Sequence, residues 1–207
     1  MLYQNKYRVE SARRPQWDYA GAGFYFVTIC TRDRHHYFGE IVETPPVETR
    51  LIASLPSPIA SPPQRATPDL RMALSDAGKI GERIWLEIPR RFPFARLDEF
   101  VVMPNHIHGI IQIVPHENGT IGSDAVGRGG VTGQHNPMNK GNSVSCIIRW
   151  YKGRVTFEIG KIETAMPFAW QTRFHDRVVR NESELNRIRQ YIQNNPANWA
   201  SDDQNAT

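Results

Sequence analysis

Two histidines, His106 and His108, stand two positions apart in the stretch FVVMPNHIHGIIQIV, residues 100–114. The stretch is otherwise apolar and reads as a strand. Alternation along a strand puts both imidazoles on one face and Ile107 on the other. Removing two adjacent imidazoles from water is unfavourable unless each finds a partner. A shared divalent cation is one such partner, and hydrogen bonds within a structural core are the plainer one. No third His or Cys stands at zinc-finger spacing, so a structural zinc site is not expected.

A second set of groups lies near the end of the chain, in ESELNRIRQYIQNNP (182–196). Tyr191 and Asn195 are four apart, so on a helix they share a face. Gln190 and Asn194 form another such pair. A tyrosine hydroxyl can attack phosphorus and carry it as a phosphotyrosine. It is a weak nucleophile at neutral pH and needs a metal to polarise the phosphate. An amide oxygen four residues along would complete a hard-metal site begun by the histidines. Mixed nitrogen and oxygen ligands of this kind suit Mg²⁺ or Mn²⁺. The plainer reading is a surface tyrosine near a helix end with an Asn cap, and composition alone favours it.

Tyr151, in RWYKGR, is the rival nucleophile. Arg149, Lys152 and Arg154 surround it, where phosphates would be drawn. Its spacing from Ile147, Ile148 and Val155 marks it instead as a core-facing aromatic. The basic side chains around it, with Trp150 for base stacking, make either a DNA groove or a solvated helix face.

The elements that must position these groups can be read from periodicity. FYFVTICT (24–31) is rich in β-branched and aromatic residues and reads as a buried strand. In LSDAGKIGERIWLEIPRRF (74–92), Ile80, Ile84 and Ile88 make a helical stripe with Ser75 as N-cap, ending near Pro89. Strands follow over 95–103 and 106–114, joined by a tight turn at MPN. SVSCIIRWYKGRVTFEIGK (143–161) predicts a helix capped by Ser143 or Ser145. AWQTRFHDRVVR (169–180) predicts a short, basic, partly extended segment. Asn181 and Glu184 resemble a capping box for the last helix, which carries Leu185, Ile188 and Ile192 inward and stops at Pro196. Residues 44–72 hold seven prolines and residues 116–142 seven glycines. Both stretches predict flexible inserts within one domain spanning 1–207. The order of elements predicts an α+β fold with helices on an antiparallel sheet, in the manner of a ferredoxin-like plait.

Composition sets outer bounds. A chain of 207 residues with 40% hydrophobic residues can bury a core. Lys and Arg number 25 against 21 Asp and Glu, a net charge of +4, and the isoelectric point is near 9.2. This permits a polyanionic partner without demanding one. Two cysteines far apart, Cys30 and Cys146, form no disulfide framework. No signal peptide or membrane span is visible, so a cytoplasmic protein is expected.

Taken together, MPNHIHG after a strand, WQTRFHDRVVRNESEL, YIQNNP, and the first-strand sequence GFYFVTICTRDRHHYFGEI resemble the single-tyrosine HUH transposases. Within that superfamily the likeness is to the REP-associated tyrosine transposases, the transposase 200-like group of bacteria. It covers about residues 15–42, 74–115 and 143–199. The resemblance implies a ferredoxin-like nuclease domain acting on single-stranded DNA, often beside a hairpin. It implies that His106, His108 and Asn195 hold one divalent metal, Mg²⁺ or Mn²⁺. Tyr191 would attack the scissile phosphate, giving a 5′-phosphotyrosine and a free 3′-OH that another strand can rejoin. Arg149, Trp150, Lys152, Arg154 and Arg173 are the expected DNA contacts. A bacterial cytoplasmic protein associated with the nucleoid when bound to DNA, acting as a monomer or homodimer, would fit. Three other readings stay open: a rolling-circle nickase, which usually carries a helicase or primase region for which 207 residues leave no room; a hairpin-binding protein without catalysis; and a metal-dependent hydrolase using water.

Overall fold

The computed structural model describes residues 21–44, 70–114, 143–162 and 167–201. Their elements run β1 (Gly23–Cys30), β2 (Gly39–Glu43), β3 (Leu70–Leu74), α1 (Asp76–Leu86), α2 (Ile88–Arg91), β4 (Ala95–Met103), β5 (His106–Ile113), α3 (Val144–Ile159), β6 (His175–Val179) and α4 (Glu182–Asn194). Four strands make one sheet in the order β4-β5-β1-β6, and β2 and β3 pair as a separate ribbon. Every neighbouring pair is antiparallel. Setting the ribbon aside, the succession β1-α1-β4-β5-α3-β6 with this strand order is the expected ferredoxin-like α+β plait. None of the described helices is long and apolar enough to cross a membrane.

Alternation sorts the side chains of the sheet into two layers. Tyr25, Val27 and Ile29 of β1 join Ile107, Ile111 and Ile113 of β5 in one core, together with Ile84 and Trp85 of α1 and Ile147, Ile148, Tyr151 and Val155 of α3. The opposite face is smaller. There Ile110 and Val179 meet Leu185, Ile188 and Ile192 of α4, with Phe24, Phe26 and Val101 packed against them. The parity of β5 therefore places His106 and His108 in the layer of Ile110, under α4, and away from α1 and α3. Gly109, directly after His108, faces the larger core, where a Cβ would strike the indole of Trp85. That ring is fully buried, stacked on Phe100 and edge-on to Tyr151. Close approach of α1 to the His strand thus depends on a residue without a side chain.

The caps expected from sequence are present. Ser75 Oγ accepts from Gly78 N at 3.1 Å, Ser143 Oγ from Cys146 N at 3.3 Å, and Asn181 Oδ1 from Glu184 N at 2.8 Å. The capping box is modified, because Glu184 reaches past the cap to accept from Arg180 N at 3.0 Å and pairs with Arg177 at 2.5 Å. Pro89 does not end the first helix. That helix closes at Leu86, and Pro89 sits in the first turn of α2, where its missing N–H costs nothing. The expected Pro-rich insert also needs correction at its end: Leu70, Arg71 and Met72 belong to β3, paired with Glu43, Val42 and Ile41. Their β-compatible side chains resume a ladder directly after the last proline. Residues 45–69 of that stretch and all of 116–142 lie outside the described residues.

One ion pair fixes α4 against the sheet. Arg189 grips Asp98 of β4 through two hydrogen bonds, Nε to Oδ1 at 2.8 Å and Nη2 to Oδ2 at 2.6 Å. The guanidinium hydrogen bond pulls the Asp98 carboxyl below its ordinary range. A lowered folded value means the stabilisation is present above the unfolded Asp pKa of about 3.9 and is lost as pH falls through the lower folded value. Asp98→Asn is expected to lower stability by about 1 kcal/mol at pH 5–7. In urea titrations at several pH values, the gap to wild type should close below about pH 4.

Candidate functional site

The site is assembled from three pieces: the start of β5, the loop after β1, and the end of α4. The 104–105 turn is held by its neighbours. Thr31 N and Thr31 Oγ1 both donate to the Asn105 carbonyl at 2.9 Å, and Phe38 N donates to Pro104 O at 3.0 Å. The strand therefore leaves the turn in a fixed direction, with His106 as its first residue.

Both imidazoles are buried, His106 at 0% and His108 at 3% exposure, with ring centroids 4.4 Å apart. Each is oriented through its Nδ1. Asn105 Oδ1 lies 2.8 Å from His106 Nδ1; a carbonyl oxygen only accepts, so Nδ1 carries the proton and Nε2 keeps its lone pair. Thr28 Oγ1 lies 2.9 Å from His108 Nδ1, across the Thr28–His108 register pair of β1 and β5. With Nδ1–H donating to that hydroxyl, His108 Nε2 also presents a lone pair. Burial, and then the charges of His108 and Arg34, hold His106 well below the ordinary imidazole range, so it is neutral at pH 7. An imidazole tied back at Nδ1, with its Nε2 lone pair turned inward, is the form in which histidine ligates a metal.

α4 delivers Tyr191 to the same place. Its hydroxyl lies 3.2 Å from His108 Nε2, with the rings 5.2 Å apart. Phe26 stacks on His108 at 5.3 Å and meets Tyr191 edge-on at 6.2 Å. Tyr191 remains 42% exposed while the histidines beneath it are covered. Asn195, four residues on, is buried at 1%. Among the described residues no group of three His, Cys, Asp or Glu gathers around one point. Among the described residues, then, a third ligand beside the imidazoles would be a neutral oxygen donor, and Asn195, buried and four residues on from Tyr191, carries an amide oxygen. The donor set of two imidazoles and an amide oxygen fits Mg²⁺ or Mn²⁺.

Tyr151 is a core residue. It is fully buried, its hydroxyl donates to Gly81 O at 2.9 Å, and burial raises its pKa well above that of a free phenol. It has no access to a phosphate.

The basic set on α3 is not brought to the histidines, because α3 packs on the opposite face of the sheet. Arg149 is exposed. Trp150 is half-buried and meets Phe92 in a T-shaped contact at 5.5 Å. Lys152 Nζ donates to the Gln171 carbonyl at 2.5 Å and lies over the Trp170 ring. Arg154 pairs with Glu158 at 2.9 Å. Arg173 is exposed just ahead of β6, whose His175 pairs with Thr28; of the five it alone leads into the sheet edge beside the site.

Several residues at the site carry no motif of their own. Thr28 is one apolar-strand residue among eight, and only the register reveals its bond to His108. Asn105 reads as a turn residue. Trp199, eight positions after Tyr191, stacks on His106 at 5.9 Å and 28°; its spacing was the available signal.

Comparison with known proteins adds two findings. No family model matches the sequence. Among solved structures, the chain is similar to a REP-associated tyrosine transposase bound to a REP hairpin, with a TM-score of 0.51 and 17% identity, over 91% of this chain and 73% of that one; this likeness is one of fold. By sequence it is 31% identical over 194 residues to an uncharacterized protein of Haemophilus influenzae, covering 93% of this chain and 90% of that protein. The chain belongs to the same family as that Haemophilus influenzae protein.

Proposed function

We propose that the protein is a metal-dependent single-stranded DNA endonuclease and strand transferase, a transposase-type enzyme acting beside DNA hairpins. The observation that carries this reading is the Tyr191 hydroxyl at 3.2 Å from His108 Nε2, on a surface tyrosine above two buried imidazoles oriented through their Nδ1 atoms. A hydrogen-bonded tyrosine alone needs no second histidine or buried amide. The shared fold with a hairpin-bound tyrosine transposase supports the same reading.

His106, His108 and Asn195 would hold the cation, Mg²⁺ or Mn²⁺, which when bound would polarise a phosphate and neutralise its developing charge. The chain's own residues do the rest. Tyr191 Oη attacks phosphorus, a P–Oη bond forms, and the P–O3′ bond breaks. The products are a 5′-phosphotyrosine and a 3′-OH; the phenolic proton passes to solvent and the departing oxygen takes one up. The phosphotyrosine keeps the energy of a phosphodiester, so a 3′-OH from another strand can reverse the step without an external energy source. Thr28 and Asn105 keep both rings in the ligating tautomer.

Incubation with labelled single-stranded DNA carrying a hairpin, with Mn²⁺, followed by a denaturing gel, tests the reading. A label migrating with denatured protein is expected. Free cleavage products alone would favour a water-using hydrolase, and binding without cleavage a catalytically inert hairpin-binding protein. A further outcome concerns Thr28. Thr28→Val keeps the β-branched shape and removes the hydroxyl on His108 Nδ1. Mn²⁺ affinity, read by calorimetry, is expected to fall about 10- to 100-fold with the fold intact.

A further inference from the structure

An aromatic surface adjoins the histidine pair on the side away from Tyr191. Trp199 follows Tyr191 and Asn195 at successive steps of four. Its indole stacks on His106 at 5.9 Å, and His36 stands edge-on to it at 5.6 Å and 63°. Trp199 is only half-buried and His36 is exposed.

The loop that supplies His36 is unusually constrained. Asp33 and Arg34 both adopt positive φ, at 52° and 56°. Consecutive left-handed non-glycine residues are strained, and such strain persists only where surrounding contacts enforce it. Those contacts are present: Thr31 is bonded to Asn105 and to the His35 carbonyl at 2.8 Å. His35 N donates to Arg32 O at 3.2 Å, and Phe38 N is bonded to Pro104. The loop is thus tied to the turn that aims His106, and it carries Arg34 near enough for its charge to act on that imidazole. Trp199 lies outside both hydrophobic clusters, and its ring contacts are with His106 and His36.

We propose that Trp199, edged by His36, is a stacking platform for one unpaired base of the DNA strand held at the histidine pair. Aromatic stacking is indifferent to base identity and contributes substantially to single-strand binding. A half-buried indole beside the buried histidines suits a base turned out next to the phosphate. This inference rests on the single-stranded DNA reading above. Its rival is that Trp199 acts only on His106, holding that ring in place.

Two probes separate these: a fluorescein-labelled pool of random 20-nucleotide single strands, and a 20-unit abasic phosphodiester chain of equal charge. Fluorescence anisotropy is measured with wild type and Trp199→Ala, and Mn²⁺ affinity by calorimetry. The variant is expected to bind the base-carrying pool about 10-fold more weakly. It should bind the abasic chain within twofold of wild type and keep its Mn²⁺ affinity. Trp199→Phe should recover most of the loss. Equal loss on both chains, no loss on either, or a fall in Mn²⁺ affinity would overturn the platform while leaving the strand-transferase reading standing. Failure of wild type to bind the pool at all would overturn both.

Discussion

Tyr191→Phe is expected to abolish the covalent protein–DNA adduct and to lower strand cleavage by at least about 10³-fold. The substitution removes one oxygen from a side chain that is 42% exposed, so stability should change by less than about 0.5 kcal/mol. DNA binding should survive, because backbone contacts, not the nucleophile, supply most of the affinity. The geometry adds a sharper expectation. The Tyr191 hydroxyl rests on His108 Nε2, the lone pair offered to a cation, so hydroxyl contact and ligation are alternatives at that atom. Tyr191→Phe should therefore bind Mn²⁺ at least as tightly as wild type. Weaker binding would mean that the hydroxyl is itself part of the metal site. Tyr151→Phe provides the contrast. It deletes a buried hydrogen bond to Gly81 and should cost about 1–2 kcal/mol of stability while the adduct still forms.

The second large effect concerns the histidines. His106→Ala and His108→Ala are each expected to reduce cleavage by about 10³-fold or more, since a phenol at neutral pH attacks a phosphodiester poorly without an electrophile. Both should also lower Mn²⁺ affinity by more than tenfold, a readout independent of turnover. The two variants should differ in stability. His106 is wholly enclosed and stacked on Trp199, so truncation leaves a cavity, at about 2–4 kcal/mol. His108 lies under Tyr191 and Phe26 near the surface, where neighbours can relax. If both variants cleaved DNA at near wild-type rates, the imidazole pair would be structural and the metal reading would fail.

Much of this was legible in the residues. The apolar runs HIHGIIQI and FYFVTICT marked two central strands, and the two-residue spacing of His106 and His108 put both on one face, because side chains alternate with a period of two along a strand. The helix starts followed from Ser75, from Asn181 and from the pair Ser143 and Ser145, of which Ser143 is the cap, because such side chains satisfy backbone donors locally. What escaped was set by tertiary packing. The sheet face on which each helix lies is decided by crossover connections, and this is why the basic set on α3 was expected near DNA yet packs opposite the histidines. Leu70–Leu74 was hidden by the prolines before it, since a five-residue strand has too short a pattern to stand out. Thr28 and Trp199 were missed for a related reason: each is defined by a partner about 80 to 90 residues away, through register in one case and ring stacking in the other, and for Trp199 only its spacing from Tyr191 hinted at the site.

The central claim, that Tyr191 bonds covalently to DNA phosphorus, is tested most directly by mass. Wild-type protein is incubated with hairpin-bearing single-stranded DNA and Mn²⁺, treated with nuclease and protease, and its peptides are analysed by tandem mass spectrometry. The expected result is a peptide containing Tyr191 that carries a 5′-linked nucleotide, with the complementary DNA product ending in a 3′-OH. A nucleotide mapped to any other tyrosine, or DNA cleaved to free 5′-phosphate ends with every peptide unmodified, would contradict it.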